Sequence, residues 1–307
     1  KTSTLPLPAP LPFPFPPRRS VLYMPGSNAR ALEKGRSLAA DGLILDMEDA
    51  VAPDAKQTAR DQITSAIKEG GYGGRELIVR TNGLDGPWGE DDLKAAAKMG
   101  ADAVLLPKVE SKAMVDQAIA ILDGAGAPAD LPIWAMMETP LGMLHAEEIA
   151  FSSPRLQCLV MGTSDLAKDL RAQHTPDRIP FMTSLGLCLL AARAAKIAIL
   201  DGVHLDLADD DGFMASCRQG RDLGMDGKTL IHPKTIAMAN EAFSPSEDEI
   251  AWSKRIIEAH AEAEKAGKGV VLVDGKLIEN LHVEGAKQMV AMADAIAKME
   301  QAAQAAE

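Results

Sequence analysis

Residues 133–165 read IWAMMETPLGMLHAEEIAFSSPRLQCLVMGTSD. Two apolar runs, IWAMM at 133–137 and CLVMG at 158–162, flank a segment of helical pattern, and an acid follows each: Glu138 and Asp165. Uninterrupted apolar runs of this length suit strands buried on both faces, as in a parallel sheet covered by helices. Outward from this stretch the same unit recurs. SVLYM at 20–24, LILD at 43–46, LIVR at 77–80 and AVLLP at 103–107 precede it, and AILDG at 198–202 and KTLIH at 228–232 follow. Eight runs alternating with helical patterns predict an α/β fold, a closed (β/α)8 TIM barrel. In such a barrel the chemistry gathers at the carboxyl ends of the strands. Here those ends carry Asp46-Met47-Glu48-Asp49, Arg80-Thr81-Asn82, Lys108, Glu138, Ser164-Asp165, Asp201 and His232.

The barrel is expected over 18–245. Before it, residues 1–17 (KTSTLPLPAPLPFPFPP) alternate proline with apolar residues, which favours an extended arm outside any core. After it, 246–307 form a C-terminal helical lid extension of helix, hairpin and helix. Ser246 followed by Glu249 is a capping box opening a helix to about Ala266. Asp274-Gly275 favours a tight turn between two short strands, and a final amphipathic helix starts at about Glu284.

The chain has 307 residues, 47% of them hydrophobic, enough for one large core. A formal charge of -12 argues against nucleic acid or an anionic membrane as partner, since both need a basic surface. An anionic substrate therefore needs local cations or a metal ion. Cys158, Cys188 and Cys217 are far apart and lack metal-type spacing, which fits a reducing, cytoplasmic compartment. The longest apolar stretch, Leu185 to Leu200, is broken by Arg193 and Lys196, so no membrane span is expected, and no signal-type segment precedes Arg18.

Glu138 and Asp165 follow consecutive strands, so their carboxylates should lie side by side at the mouth. Hard oxygen donors in small number suit Mg2+, which keeps several positions for water and substrate. A proton-transfer dyad and two ordinary surface acids remain alternative readings. Glu48 and Asp49 fit hydrogen bonding to waters around such an ion, or stabilisation of a helix N-terminus. Arg80 offers a planar donor to a carboxylate or developing oxyanion, or a salt bridge to Glu48 or Asp49. Gly162-Thr163-Ser164-Asp165 forms a small-residue turn before a helix, whose free N–H groups can receive a carboxylate. The six histidines show no mutual ligand spacing and receive no catalytic role, and the methionines are read as core filler.

Taken together, RSVLYMPGSN, DMEDAV, VRTNG, LLPKVE, METPLGM, MGTSDLAKDL, GMDGKTLIHP and DGKLIENLH resemble the citrate lyase beta-subunit-like family of CoA-ester lyases, in the HpcH/HpaI aldolase superfamily. The resemblance spans about Arg19 to Ala297. WAMMET, GLCLLAARA and DGKTLIHP are most similar to its malyl-CoA lyase and (3S)-malyl-CoA thioesterase branch, the thioesterase above all. It implies Mg2+, with Mn2+ as a substitute, held by Glu138 and Asp165, with Arg80 at the substrate and Glu48 and Asp49 around the ion. The implied substrate is a CoA thioester of a malyl-type 2-hydroxy dicarboxylic acid. It is either cleaved to a 2-keto acid such as glyoxylate plus acetyl-CoA, or hydrolysed to malate plus CoA.

Arg30 and Lys34 are candidates for the CoA phosphates. A homotrimer or hexamer is implied, with the lid reaching a neighbouring subunit. Related lyases carry a proton-transferring Asp in the lid, where this chain has Glu279, one methylene longer. Two other readings stand beside these: a CoA-ester-binding regulatory subunit without turnover, and an aldolase on free 2-keto acids. Such aldolases place a histidine after the second-strand acid, where this chain has Asp49 after Glu48.

Overall fold

The computed structural model describes residues 16–305. The arm expected at 1–17 lies, apart from Pro16 and Pro17, outside the described residues. Eight parallel strands close into a barrel in chain order: β1 (Ser20–Pro25), β2 (Gly42–Asp46), β3 (Glu76–Arg80), β4 (Ala103–Leu106), β5 (Ile133–Met137), β6 (Leu156–Met161), β7 (Ala198–Asp201) and β8 (Gly227–Leu230). β1 pairs with both β2 and β8, which completes the ring. The apolar runs are uninterrupted because each strand is buried on both faces. Leu43, Leu45, Leu77, Val79, Ile199 and Leu230 pack in the core under the helices. By the two-residue period of a strand, Ile44, Ile78, Leu105 and Trp134 fill the barrel interior, all 0% exposed.

At the amino end of the strands, Arg18 binds Glu76 at 2.7 Å and lies over the Trp134 ring at 4.7 Å. A charged plug of this kind closes the barrel floor and leaves the opposite end for chemistry.

The described residues from Arg18 to Phe243 form one compact unit, and those from Ser244 onward form a second. In the second unit the capping box of Ser246 and Glu249 opens the helix Glu247–Lys265. Strands β9 (Val271–Val273) and β10 (Lys276–Ile278) form an antiparallel hairpin. Its turn residues Asp274 and Gly275 have φ of 49° and 77°, the left-handed pair that a tight hairpin turn demands. The last helix, Asn280–Ala305, begins four residues before the expected Glu284. At its start the Glu279 N–H donates to His282 Nδ1 at 3.0 Å, and Val283 packs in the apolar cluster of this unit, so the buried face begins before Glu284.

Candidate active site

The carboxyl ends of β2 to β6 bring together Arg80, Asp46, Glu48, Asp49, Lys108, Glu138 and Asp165. Arg80 is the hub. Its Nε and Nη2 each donate to Asp46, both at 2.7 Å, as a bidentate pair. Asp46 is the residue directly opposite Arg80 in the β2–β3 register, and it is 0% exposed. Its oxygens also accept the N–H groups of Glu48 and Ala50 at 2.9 and 3.0 Å, so they carry four hydrogen bonds. Arg80 thus has, beyond the expected ion pair with Glu48, a bidentate partner in Asp46 that the sequence reading did not name. Glu48 Oε2 lies 3.0 Å from Nη1 yet forms no hydrogen bond of acceptable angle, and Asp49 stays 4.0 Å away. The guanidinium also lies over the Tyr23 ring at 4.8 Å. Only the Nη1 edge of Arg80 remains uncommitted to Asp46.

The backbone around Glu48 is held from below. Lys56 Nζ donates to the carbonyls of Met47 and Glu48 at 3.0 and 2.8 Å and to Asn82 Oδ1 at 2.9 Å. Asn82 in turn donates to Met47 O and to the buried Asp92. The sequence places Asp46 and Asn82 among the strand-end groups without a specific role for either, and it does not single out Lys56.

Glu138 leaves β5 buried, and its Oε1 accepts the Lys108 N–H at 2.8 Å. That contact needs an unusual backbone: Lys108 has φ 46°, the left-handed region that a lysine rarely enters. The Lys108 ammonium reaches back to Asp165 Oδ2 at 3.7 Å, and Lys168 Nζ lies 3.3 Å from Oδ1. Asp165 sits in the first turn of the helix Thr163–Leu170, where the helix dipole favours a carboxylate. Gly162, just before that helix, makes room for Glu138. A Cβ at Gly162 would lie 2.5 Å from Glu138 Cβ and 2.6 Å from its Oε2.

Burial is the main influence that pushes both Glu138 and Glu48 from the ordinary 4.5 up to about 7, in Glu48 against the pull of Arg80. For Glu138 the Lys108 N–H and Arg80 pull the other way, and nearby Asp165 adds to the rise. Burial disfavours the charge on these acids even with Arg80 and Lys108 nearby, so a further cation would relieve it. Glu138 Oε2 has no protein hydrogen bond among the described residues, and no group of three or more His, Cys, Asp or Glu side chains gathers there as a metal cage. Two oxygen-donor acids with open positions fit a hard divalent ion such as Mg2+, which keeps water and substrate in its shell.

In EDTA, stability should fall as pH rises from about 4.5 to 7, because across that window the folded protein retains protons that the unfolded chain has released. Thermal melts from pH 5 to 8 read this directly, and a stability that rises over the window would contradict it. Gly162→Ala should lower Tm by about 2–8 °C through overpacking against Glu138 and weaken cation affinity about tenfold or more. Calorimetric titration with MgCl2 measures the second effect.

Of the remaining candidates, Arg30 and Lys34 lie exposed on the helix Ala29–Gly35, neither in an ion pair among the described residues. Glu279 belongs to the second unit, where its side chain is exposed.

The profile of the HpcH/HpaI aldolase/citrate lyase family matches residues 19–233, within which all the barrel candidates fall. The chain belongs to the HpcH/HpaI aldolase/citrate lyase family. Within it, a (3S)-malyl-CoA thioesterase of Cereibacter sphaeroides is 54% identical over 281 residues, covering 92% of this chain and 96% of that one. A citrate lyase subunit beta of Haemophilus influenzae is 37% identical, over 88% of this chain and 94% of its own. A crystal structure of CitE from Mycobacterium tuberculosis in complex with magnesium, acetoacetate and coenzyme A has the same fold. Its TM-score is 0.73 at 28% identity, over 90% of this chain and 97% of that one. No helix among the described residues is long and apolar enough to cross a membrane. Cys158, Cys188 and Cys217 are buried free thiols.

Proposed function

We propose that this protein is a Mg2+-dependent enzyme acting on CoA thioesters of malyl-type 2-hydroxy dicarboxylic acids, with Glu138 and Asp165 as the metal-holding residues. The observation that carries the proposal is the buried Glu138 carboxylate, pushed up to about 7, held at one oxygen by Lys108 and lying close to Asp165 and Arg80. A divalent ion at this pair supplies Lewis-acid polarisation of substrate oxygens and offsets the acids' charge.

The protein groups do the rest. Arg80, fixed by Asp46, presents its Nη1 edge to the thioester oxygen on which charge develops. Glu48, balanced near neutral pH beside that edge, takes and returns the proton of the attacking water or of the substrate hydroxyl. Asp49, the next residue along and exposed, orients water at the rim.

Thioester hydrolysis to malate plus CoA is the leading reading, because the relative sharing 54% identity is named for that reaction. Carbon–carbon cleavage to a 2-keto acid and an acyl-CoA is the second, supported by the citrate lyase subunits. Both develop negative charge on the same thioester oxygen, so Arg80 serves either. Incubation with Mg2+ and (S)-malyl-CoA, following free thiol and glyoxylate separately, tests the proposal. Thiol and malate without glyoxylate is the expected result; glyoxylate selects the lyase, and neither product refutes the substrate assignment.

The finer assignments belong to the same proposal. Arg30 and Lys34 meet the CoA phosphates, and Glu279 serves in proton transfer, contributed by a neighbouring subunit of a homotrimer or hexamer in the cytoplasm. Light scattering of the purified protein checks the assembly; a monomer would remove that role from a neighbouring Glu279.

A further inference from the structure

A second charged cluster lies on the outer, helix-facing side of the barrel. Asp201 of β7 and Lys228 of β8 share strand faces with Ile199 and Leu230, which pack under the helices. Asp201 accepts Arg178 Nη1 at 2.7 Å and the Gly202 N–H at 2.8 Å, and it lies 3.3 Å from Lys228 Nζ. Asp201 is 0% and Lys228 1% exposed, so two cations share one buried carboxylate. One positive charge is left over, inside a chain whose net charge is -12.

The donors there are underused. An ammonium carries three hydrogens, and among the described residues Lys228 forms one hydrogen bond, the long contact to Asp201. Arg178 is held at φ 56°, a left-handed conformation unusual for arginine, which directs its guanidinium at Asp201 and Gln219. His204 Nε2 is buried without a partner. Burial, followed by the charge of Lys228, holds this ring below the ordinary histidine range. A neutral ring of this kind can turn an N–H inward.

These groups line a cavity of about 340 Å3 that also touches His174 and Thr163 and includes neither Glu138 nor Asp165. Two acids stand near it, both acting on His204 against the charge of Lys228, and neither forms an ion pair with Lys228 or Arg178 among the described residues. Asp206 is exposed at the rim, and Asp209 accepts the Gly212 N–H as a helix cap.

We propose that this cavity is a second binding site, for a compact oxyanion (a carboxylate or inorganic phosphate) seated between Lys228 and Arg178 with His204 as a further donor. An anion there would supply the missing countercharge and use the free ammonium hydrogens.

The test uses the whole protein in EDTA, titrated calorimetrically with L-malate and separately with sodium phosphate, against NaCl at equal ionic strength. A saturable binding event beyond the NaCl control is expected for one of the two anions, and the tighter one identifies the source. The event should persist in Glu138→Gln, which separates it from the proposed catalytic site. Its Kd should weaken about tenfold or more in Lys228→Met and several-fold in His204→Leu. His204 is only partly buried, so His204→Leu keeps the test open if Lys228→Met does not fold. Crystals soaked in selenate give an independent reading, with an anomalous peak expected within hydrogen-bond distance of Lys228 Nζ. No saturable binding, equal binding in the variants, or selenate found only elsewhere would overturn the site.

Discussion

Glu138→Gln should lower Mg2+-dependent turnover of the CoA thioester by at least about 1000-fold while leaving the fold intact. The substitution preserves shape, and the oxygen of the substituted amide can still accept the Lys108 N–H that Glu138 Oε1 accepts now at 2.8 Å. What disappears is the negative charge that draws a cation. Burial pushes Glu138 up to about 7, so above that pH an ionised Glu138 without a cation costs stability. The amide carries no such cost. In EDTA at pH 8 the variant should therefore melt no lower than the wild type, and adding MgCl2 should raise the wild-type Tm and leave the variant unmoved. Loss of activity combined with undiminished metal-free stability separates a metal-holding residue from a structural one. Normal turnover in the variant, or an equal Mg2+ shift, would remove Glu138 from the site. Asp165→Asn should follow the same pattern less completely. Lys108 and Lys168 already flank Asp165, and the amide oxygen remains a weak donor.

Much of this arrangement was legible in the sequence. IWAMM and CLVM could be read as β5 and β6 because strands buried on both faces leave no polar alternation, and Glu138 and Asp165 followed as the acids at their ends. The ion pair of Arg80 with Glu48 was legible, and its bidentate partner Asp46 was not. Asp46, Glu48 and Asp49 crowd into four residues, and only the register that sets Asp46 opposite Arg80 chooses among them. Lys108 was legible as a group at a strand end, but its backbone conformation was not. Its left-handed backbone is imposed by its contacts with Glu138 and Asp165, and no local residue preference foretells it. The same limit hid the start of the last helix. His282 caps it through a ring nitrogen, outside the Ser, Thr, Asp and Asn pattern by which helix starts are recognised.

The second large effect is expected at Arg80. Three directions of one guanidinium are in use: Nε and Nη2 are spent on Asp46, and Nη1 faces Glu48 and is the edge proposed to meet the substrate. A lysine supplies charge from a single point and cannot hold Asp46 bidentately while also presenting a fixed donor to the thioester oxygen. Arg80→Lys should therefore cut kcat by about 100- to 1000-fold, the loss seen when an oxyanion donor is removed, with a smaller change in KM. Arg80→Met should also destabilise by about 3–5 kcal/mol, because it leaves Asp46 charged and fully buried with only backbone donors. Asp46→Asn separates positioning from chemistry: it removes the carboxylate that aims Arg80 and leaves the guanidinium in place. If Asp46 acts through Arg80, Asp46→Asn lowers kcat by itself, and the Arg80→Lys/Asp46→Asn double variant loses clearly less than the product of the two single losses. Strict additivity in that cycle would mean that Asp46 does not orient the arginine for catalysis, and that its four hydrogen bonds serve the β2 turn alone.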